Sequence, residues 1–464
     1  MTDDKLDLPD EDTREDEDYS LDRDLVHEVL DAVEAEDASR LDALLDPLHA
    51  ADIADLLEQI GPGDRGELVR LWSSEIDGEI LSELDEGVRA EVIAELPSDV
   101  LREAVRDLYT DDVVDLVEDL EEADQRAILD ALEATDRVAV EQALSYPEYS
   151  AGRLMQRELV TAPEHWTVGQ AIDFLRAQDE LPEQFYHVIL VDPRMKPVGY
   201  VTLGKVLSAR RAVPLAEISE DSFRTIRVTQ PDKDVAYAFN QYHLISAPVV
   251  DEDDRLVGVI TIDDAMAVLD EEHEEDILRL AGVGDESSLS DTVIEATKGR
   301  ALWLFVNLLT AILASVVIDL FTDTIQTLVA LAVLMPIVAS MGGNAGTQTM
   351  TVAVRALATR DLTAQNAWRV IRREVAVGAI NGLAFGLLMS IIAGLWFGVP
   401  MLAVVIGAAM LMTLVAAALG GIVIPMVLER LKIDPALASG PFVTTVTDVV
   451  GFFAFLGLAS VVLL

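Results

Sequence analysis

Residues 21–157 show an apolar periodicity that predicts short amphipathic helices. The stretch ADIADLLEQI places apolar residues at the spacing of one helix face: Ile53, Leu56, Leu57 and Ile60. The same spacing returns in DDVVDLVEDL, which begins at Asp111. Short helices repeated in this way are typical of a helical superhelix in which each unit packs on its neighbours. We therefore expect an all-α domain over residues 21–157.

From about residue 158 the pattern changes to alternating strands and helices, and a stretch of sequence is duplicated. ILVDPRMKPVGYVTL (Ile189–Leu203) aligns with PVVDEDDRLVGVITI (Pro248–Ile262) at a constant offset of 59 residues. Each copy indicates a strand, a turn and a second strand, preceded by a helical stretch. We therefore expect a tandem α+β pair over residues 158–270.

Residues 300–464 contain five apolar segments, each long enough to cross a bilayer core, which takes about 20 residues. Their predicted bounds are Ala301–Phe321, Ile325–Ala356, Glu374–Phe397, Val399–Leu428 and Pro441–Leu464. Basic residues cluster before the first segment, between the second and third, and between the fourth and fifth. The positive-inside bias therefore predicts a multi-pass protein of the plasma (cell) membrane with a cytosolic N-terminus and an external C-terminus.

The charge is divided unevenly between the two halves of the chain. The formal net charge is −50, and residues 300–464 hold eight basic and seven acidic residues, so the acidic surplus lies in residues 1–299. Such a surface repels nucleic acid and is typical of a halophile-like cytoplasm, although it also attracts divalent cations. Cysteine is absent, which excludes disulfides and thiolate metal sites. Residues 1–20 have no apolar core, so we expect a disordered acidic tail and no signal peptide.

The last apolar segment carries one acid, Asp448, and no basic residue. A carboxylate at the centre of a membrane costs roughly 2.5–3.5 kcal/mol on insertion scales and usually marks an ion or proton path. Thr444 and Pro441, four and seven residues earlier, share its helix face. Carboxylate, hydroxyl and carbonyl oxygens are hard ligands that suit Mg²⁺ or Ca²⁺. The alternative is a buried acid that accepts hydrogen bonds from neighbouring hydroxyls.

A run of small and polar residues, Gly342–Thr349, interrupts the second apolar segment. Small residues let membrane helices approach closely, with Asn344 as an interhelical hydrogen-bonding residue. A broken helix that lines a cavity is the alternative. Glu374, at the start of the third segment, is either a second candidate site or the partner of an adjacent arginine.

An acidic stretch follows the duplicated modules. Five acids lie within two helical turns: Glu271, Glu272, Glu274, Glu275 and Asp276. Like charges at this density repel, so we expect this stretch to need cations. Ser288 and Asp291 then predict the start of a connecting helix that leads to the first apolar segment. Residues 271–299 are thus expected to form an acidic linker and a connecting (plug) helix.

The duplicated modules resemble a tandem pair of CBS domains. In that family a glycine, a threonine and an aspartate three residues after the threonine form a nucleotide signature. The second copy matches it with Gly258, Thr261 and Asp264, whereas the first copy has Lys205 at the last position. The resemblance implies ATP or another adenine nucleotide as a ligand, and the alternative is ordinary turn and cap roles for these residues.

The whole order of segments resembles the MgtE family of magnesium channels and transporters. The resemblance rests on AGRLM (Ala151–Met155), the CBS pair and five apolar segments. It also rests on GGNAGTQ in the second segment and on the DPALASGP…TT…D run that ends at Asp448 in the last one. It implies a multidomain fold: a helical N-domain, an α+β tandem CBS pair, a connecting helix and an α-helical membrane domain with five transmembrane spans (300–464). It also implies a homodimer whose pore lies on the twofold axis, with Mg²⁺ as the transported ion.

The resemblance assigns roles to particular residues of this sequence. Asp448 would hold the ion in the pore, which would be lined by Gly343, Asn344, Ser439 and Thr444. Mg²⁺ between the acidic N-domain, CBS and linker surfaces would close the channel when cytosolic Mg²⁺ is high. The acids that match this regulatory role are Asp264, Glu272, Glu274 and Glu275. Ala267 departs from the family pattern, where another acid is expected one turn after Asp264.

The sequence is also compatible with two other functional hypotheses. The first is a secondary transporter that couples Mg²⁺ or Co²⁺ movement to protons or Na⁺ through Asp448. The second is a nucleotide-sensing membrane protein without a transport role. An enzyme is not expected, because the six histidines are scattered and no nucleophile–base set is apparent.

Overall fold

A computed structural model describes residues 21, 23–118, 120, 122–178, 181–182, 185–220, 223–283 and 293–463. The predicted acidic tail therefore lies outside the described residues, as does the Ser288–Asp291 start of the connecting helix. The chain divides into two compact units, Met1–Asp270 and Glu271–Leu464.

The first unit begins with short helices packed around one apolar core. In the described residues they are α1 (Arg23–Glu34), α2 (Ala38–Leu45), α3 (Ala50–Gln59), α4 (Pro62–Trp72), α5 (Gly78–Ser82), α6 (Glu86–Glu95), α7 (Ser98–Ala104), α8 (Thr110–Glu118), α9 (Glu122–Leu129) and α10 (Ala134–Ala143). The face predicted from the sequence is the buried one, because Ile53, Leu56 and Leu57 are at most 4% exposed. The expected all-α N-domain is confirmed.

A repeated arginine joins successive helices of this domain. Arg65 donates from Nε to the carbonyl oxygen of Leu57 (2.7 Å) and pairs with Glu91, 26 residues further on. Arg89 repeats both contacts: its Nε donates to the carbonyl of Leu84 (3.1 Å), and its Nη1 pairs with Asp115, again 26 residues further on. Each arginine thus satisfies a carbonyl group at the end of the preceding helix or just after it, where carbonyls lack intrahelical partners.

The two duplicated modules form two sheets with the same topology. The first sheet has the order β1 (Thr161–Pro163), β2 (His187–Val191), β3 (Pro197–Thr202), and the second has β4 (Ile226–Arg227), β5 (Ser246–Val250), β6 (Leu256–Thr261). In each sheet the first pair of strands is parallel and the second antiparallel. The ladders match at an offset of 59 residues, since His187 pairs with Thr202 and Ser246 with Thr261. The predicted duplication is confirmed.

Four helices accompany these sheets: α11 (Val168–Ala177), α12 (Leu203–Ser208), α13 (Asp232–Tyr242) and α14 (Ile262–Ala281). Thr167 begins α11 with a capping box, in which its hydroxyl accepts from the backbone of Gln170 and the Gln170 side chain accepts in return. The acidic stretch predicted to form a separate linker continues α14 without interruption to Ala281.

The described part of the second unit contains long apolar helices and one short helix. The long helices are α15 (Val293–Asp319), α17 (Ala330–Ala358), α18 (Ala367–Phe397), α19 (Pro400–Arg430) and α20 (Pro435–Val462), and the short one is α16 (Thr322–Thr327). By length and composition each of the five long helices contains a candidate membrane span, which confirms the predicted number for the described residues. α17 starts at Ala330 rather than at Ile325, because Thr322–Thr327 forms the separate short helix α16. α18 starts at Ala367, seven residues before the predicted start, and includes the basic stretch.

The small-residue run does not break its helix. Residues Gly342–Thr349 lie within α17, which is α-helical from Ala330 to Ala358. The alternative of a broken second span is therefore wrong, because close packing against neighbouring helices supports the glycines in helical geometry. The core of this unit lies where α17, α19 and α20 meet, with Leu334, Ile406 and Phe455 fully buried.

Candidate functional site

Asp448 lies in the middle of α20 and is half-buried. The two hydroxyl groups nearest to it in sequence are engaged elsewhere: Thr445 donates to the carbonyl of Pro441 (2.6 Å) and Thr447 to that of Thr444 (2.9 Å). Within the part of the chain that the structure describes, no hydrogen bond or ion pair satisfies the Asp448 carboxylate. The geometry therefore does not support the alternative of an acid held by neighbouring hydroxyls.

The glycine run of α17 presents two different faces. Gly342 and Gly346 are buried against α19 and α20: a Cβ on Gly342 would lie 2.6 Å from the Thr413 methyl, and one on Gly346 would lie 2.7 Å from Val443. Gly343 has no atom within 4 Å of such a Cβ, and Asn344 is exposed. The packing interpretation thus applies to the buried glycines, whereas Gly343 and Asn344 lie on an open face.

The remaining predicted pore residues lie on α20. Thr444 is exposed in the single chain, like Asn344. Ser439 falls within the helix, but its side chain is outside the described residues. No hydrogen bond joins Asn344 to Asp448 in the described residues.

Glu374 is only 7% exposed and pairs with its neighbour, since Nη2 of Arg373 lies 2.7 Å from Oε1 of Glu374. The expected arginine pairing of Glu374 is therefore what the structure contains. Among the described residues of the spans, Glu374 thus has a basic partner whereas Asp448 has none.

The predicted regulatory acids lie along α14 without forming one metal cluster. Among the described residues, no group of three acids or histidines is close enough to hold a metal ion. Glu275 instead pairs with Arg279, one turn later, at 2.8 Å. Arg279 also donates to Asp434, the residue that caps the start of α20, at 2.9 Å. Glu272 and Glu274 lie in the same acidic stretch of α14 as Glu275.

A second acidic group lies within the first unit, at a cleft of about 1160 Å³ between the helical domain and the second CBS copy. Asp111 and Asp112 begin α8, and Asp263 and Asp264 begin α14. Burial raises the pKa of Asp112 to about 6, with Asp115 and Asp263 adding repulsion. Burial likewise raises the pKa of Asp264 to about 7, and that of Asp111 well above its ordinary value. The four carboxylates thus repel one another across the cleft.

Sequence reasoning identified only Asp264 of these four acids. The available signal was a pair of adjacent aspartates at the first turn of two predicted helices. Acids in a first turn are common because they interact favourably with the helix dipole, so the pairs gave no sign of a shared cleft.

The predicted nucleotide residues have structural roles in the second CBS copy. The hydroxyl of Thr261 donates to Oδ2 of Asp264 (2.5 Å), and the Thr261 backbone N–H lies 3.3 Å from the same oxygen. Gly258 lies against the AGRLM segment, where a Cβ would be 2.7 Å from the Met155 sulfur. The Thr261–Asp264 contact is the cap role that the sequence left as the alternative, and the packing of Gly258 adds a structural role that the sequence did not indicate.

Comparison with family models covers most of the chain. A model described as a divalent cation transporter (MgtE) matches residues 335–458, the MgtE intracellular N domain matches 48–149, and CBS domains match 151–212 and 215–271. Together with the five candidate spans, these matches define a divalent cation transporter with a helical N domain and a CBS pair.

Curated relatives narrow this class. The magnesium transporter MgtE of Enterococcus faecalis is 34% identical over 319 residues, which cover 69% of this chain and 70% of the relative. That of Thermus thermophilus is 34% identical over 320 residues, covering 68% and 71%. The chain belongs to the MgtE family of magnesium transporters.

Two solved structures are similar to the first part of the chain. One is the soluble part of a magnesium transporter (24% identity, TM-score 0.47, covering 54% of this chain and 98% of that one). The other is the cytosolic domain of the Mg²⁺ channel MgtE in complex with ATP (29% identity, TM-score 0.48, covering 52% and 99%).

Proposed function

We propose that this transporter is a Mg²⁺-selective channel that mediates magnesium uptake across the plasma membrane. The observation that carries the proposal is Asp448, a carboxylate at mid-span with no hydrogen-bonding or basic partner in the described chain. A passing cation supplies that partner. Mg²⁺ loses its waters reluctantly, so a single carboxylate that contacts a partly hydrated ion fits it better than a complete protein cage.

The pore of this proposal lies between two copies of the chain. Gly343, Asn344 and Thr444 lie on open faces of α17 and α20, although polar side chains at membrane depth normally face a bundle interior or a water-filled cavity. A second copy across a twofold axis would enclose these faces. Ser439, like Thr444, belongs to the N-terminal half of α20 and would line the same pore. Each subunit would then contribute one Asp448.

Cross-linking tests the dimer directly, because the chain contains no cysteine. We expect Asn344→Cys to form an intersubunit disulfide or a short bis-maleimide link in membranes. Leu387→Cys, on an exposed apolar position of α18, is the matched control and should stay uncross-linked. Equal cross-linking at both positions would indicate random collision and would contradict an axial Asn344.

Flux measurements test the role of Asp448. In liposomes that contain the purified protein, Asp448→Asn should reduce Mg²⁺ flux at least about tenfold, since a neutral amide loses the charge attraction for the ion. Asp323→Asn, in the short helix α16, is the control that also removes one acid from the membrane domain and should conduct normally. Undiminished flux through Asp448→Asn would eliminate the proposed pore site.

We further propose that cytosolic Mg²⁺ closes the channel by binding to acidic surfaces of the N-domain, the CBS pair and the later turns of α14. The repulsion between Asp111, Asp112, Asp263 and Asp264 supports this, because a cation in the cleft would relieve it. Because Mg²⁺ keeps several of its waters, it could bind through them to acids that are too far apart to coordinate it directly. Glu272, Glu274 and Glu275 remain the proposed contributors on the later turns of α14.

Asp111→Asn combined with Asp264→Asn should raise the Mg²⁺ concentration needed for closure by about tenfold, because two of the four carboxyl groups that could bind the ion are replaced by neutral amides. Asp99→Asn, at an exposed position of α7, is the control and should leave the closing concentration unchanged. A closing concentration that is equal in all three proteins would rule out the cleft as the sensor.

A coupled secondary transporter is the second candidate, since a half-buried carboxylate also suits a proton. Reversal potentials in liposomes separate the two. A channel follows the Mg²⁺ gradient alone, whereas a coupled carrier shifts with the proton or Na⁺ gradient.

An adenine nucleotide is a separate proposal for the CBS pair. Gly258, Thr261 and Asp264 carry the signature, but their present contacts are within the protein. ATP binding through them would have to compete with the Thr261–Asp264 hydrogen bond. Isothermal titration of the full-length protein with ATP, compared with Thr261→Val, tests this: equal affinity in both proteins would place any nucleotide elsewhere.

A further inference from the structure

A groove of about 520 Å³ opens at one end of the membrane helices, where α17 and α19 end. Its apolar floor is formed by Leu357, Leu362 and Met426. Leu362 is 5% exposed and packs with Ile422, so the floor belongs to the helix core. The rim carries Arg360, Arg430 and one acid, Glu429. The groove therefore combines an apolar base with two guanidinium groups.

Hydrogen bonds fix the loop that shapes this groove. The backbone N–H of Leu362 donates to the carbonyl of Ala356 (2.7 Å), which turns the chain back onto α17. The side-chain amide of Asn366 donates to the carbonyl of Asp361 (2.6 Å), and its oxygen accepts from the backbone of Thr363 (2.9 Å). A groove built on such a loop is largely preformed, which reduces the entropy lost when a ligand binds.

The charge around the groove is basic, in contrast to residues 1–299. Asp361, the acid in the same loop, accepts a hydrogen bond from the Thr359 hydroxyl at 2.9 Å. Arg369 and Arg372 add positive charge on the exposed side of α18 without lining the groove. Glu429 is the one carboxylate among the lining residues. The electrostatic balance thus favours an anion over a cation at this position.

We propose that this groove binds the phosphate headgroup of an anionic phospholipid, with Arg360 and Arg430 on the phosphate and the start of an acyl chain on the apolar floor. Guanidinium groups bind phosphate oxygens through paired hydrogen bonds. The groove lies at the ends of two candidate spans, which is the depth at which a lipid presents a charged group beside an apolar one. The positive-inside bias would explain basic residues at this end of the spans, but it would not explain why two of them line a groove with an apolar floor.

The proposal is tested on the full-length protein purified in a neutral detergent. Thermal unfolding is followed while dioctanoyl phosphatidylglycerol or dioctanoyl phosphatidylcholine is added. We expect phosphatidylglycerol to raise the midpoint and phosphatidylcholine to have little effect. In Arg360→Gln combined with Arg430→Gln, the apparent affinity for phosphatidylglycerol should fall by about tenfold or more. Arg369→Gln combined with Arg372→Gln removes the same charge outside the groove and should keep the wild-type affinity.

Four outcomes would overturn the proposal. Equal losses in the two double variants would indicate a diffuse basic surface. Equal stabilisation by the two lipids would indicate an apolar groove without headgroup recognition. Equal stabilisation by soluble glycerol phosphate would indicate a free-anion site, and a changed oligomeric mass in the groove variant would indicate a subunit contact. If the double variant does not fold, the single substitutions Arg360→Gln and Arg430→Gln, both at exposed positions, are compared with Arg369→Gln in the same titration.

Discussion

Arg279 binds Asp434 across 155 residues of sequence: Nη1 of the arginine lies 2.9 Å from Oδ2 of the aspartate. The other carboxylate oxygen of Asp434 accepts from the backbone of Ala436 (2.7 Å) and so begins α20, the helix that carries Asp448. The end of α14 is thereby connected to the start of the proposed pore helix. Other acids lie close to Arg279 as well. Burial raises the pKa of Asp276, and the nearby charges of Asp434 and Glu272 raise it further.

Replacing Arg279 by Gln should therefore loosen the end of α14. Glu275 and Asp434 would lose their common cation, at a cost of about 2 kcal/mol for charged hydrogen bonds in a partly buried position. Hydrogen exchange of residues 272–281 measures the local opening free energy, and added Mg²⁺ should restore part of it. Arg255→Gln, which removes an exposed pair with Asp253, should change local stability by less than about 0.5 kcal/mol. Equal protection of residues 272–281 in wild type and Arg279→Gln would contradict a structural role for this link.

The two neighbouring glycines of α17 should respond differently to alanine. Gly342→Ala places a methyl group 2.6 Å from the Thr413 side chain and should destabilise the membrane unit by about 1–3 kcal/mol through overpacking. Gly343→Ala meets nothing within 4 Å, so its thermal midpoint should match the wild type. If Gly343 also lines the pore, its alanine variant should lower Mg²⁺ flux without lowering stability. Equal midpoints for the two variants would show that α17 and α19 separate easily at this crossing.

Much of the architecture could be predicted because its signals are local. The five spans follow from apolar runs of about 20 residues, and the CBS duplication follows from residues that recur at one offset. The buried face of α3 follows from helical spacing alone. Even the Glu275–Arg279 pair is a neighbour pair on a helix, at the spacing where opposite charges meet.

The cleft acids could not be predicted, because their proximity depends on tertiary structure. Asp112 and Asp263 lie on helices from different domains, and nothing in either local sequence indicates the other. The repeated arginine was missed for a similar reason: Arg65 and Arg89 resemble surface residues until their carbonyl partners are known. Residue types alone also gave no sign that Asp434 would bind Arg279.

The contribution of His187 to the stability of the CBS pair should decrease as the pH falls below neutrality. Its Nδ1 lies 2.5 Å from the Ser246 hydroxyl, and its ring packs on Tyr200. Burial lowers the pKa of His187, with a smaller opposing effect from Glu220. The unfolded chain therefore binds a proton more readily, so this contribution to stability is present above the unfolded pKa of about 6.5 and is lost as the pH falls towards the folded value.

Thermal unfolding of the wild type and His187→Gln between pH 7.5 and 5.5 isolates this effect. Glutamine retains a polar side chain but does not titrate. The difference in unfolding midpoint between the wild type and His187→Gln should therefore become smaller at low pH. His165→Gln, in the loop before α11, is a control for the loss of a histidine. A difference that is constant across this pH range would exclude His187 as the titrating group.

Arg65 should be far more important for the N-domain than its exposed neighbour on the same helix. It is 4% exposed and satisfies the carbonyls of Leu57 and Ile60. Arg65→Met keeps the apolar stem but leaves those carbonyls without donors, at a cost of about 2–4 kcal/mol. Arg70 makes an exposed pair with Glu95 at 3.4 Å, so Arg70→Met should cost less than about 0.5 kcal/mol.

Hydrogen exchange of residues 50–72 in the full-length protein measures both variants under the same conditions. Because stability in a helical superhelix passes between nearest neighbours, the loss in Arg65→Met should be greatest in α3 and α4 and decrease towards α8. Arg89→Met should move the same pattern by one repeat, to α5 and α6. Uniform deprotection of the whole domain by either substitution would instead indicate a single cooperative unit, in which the repeated arginines have no local role.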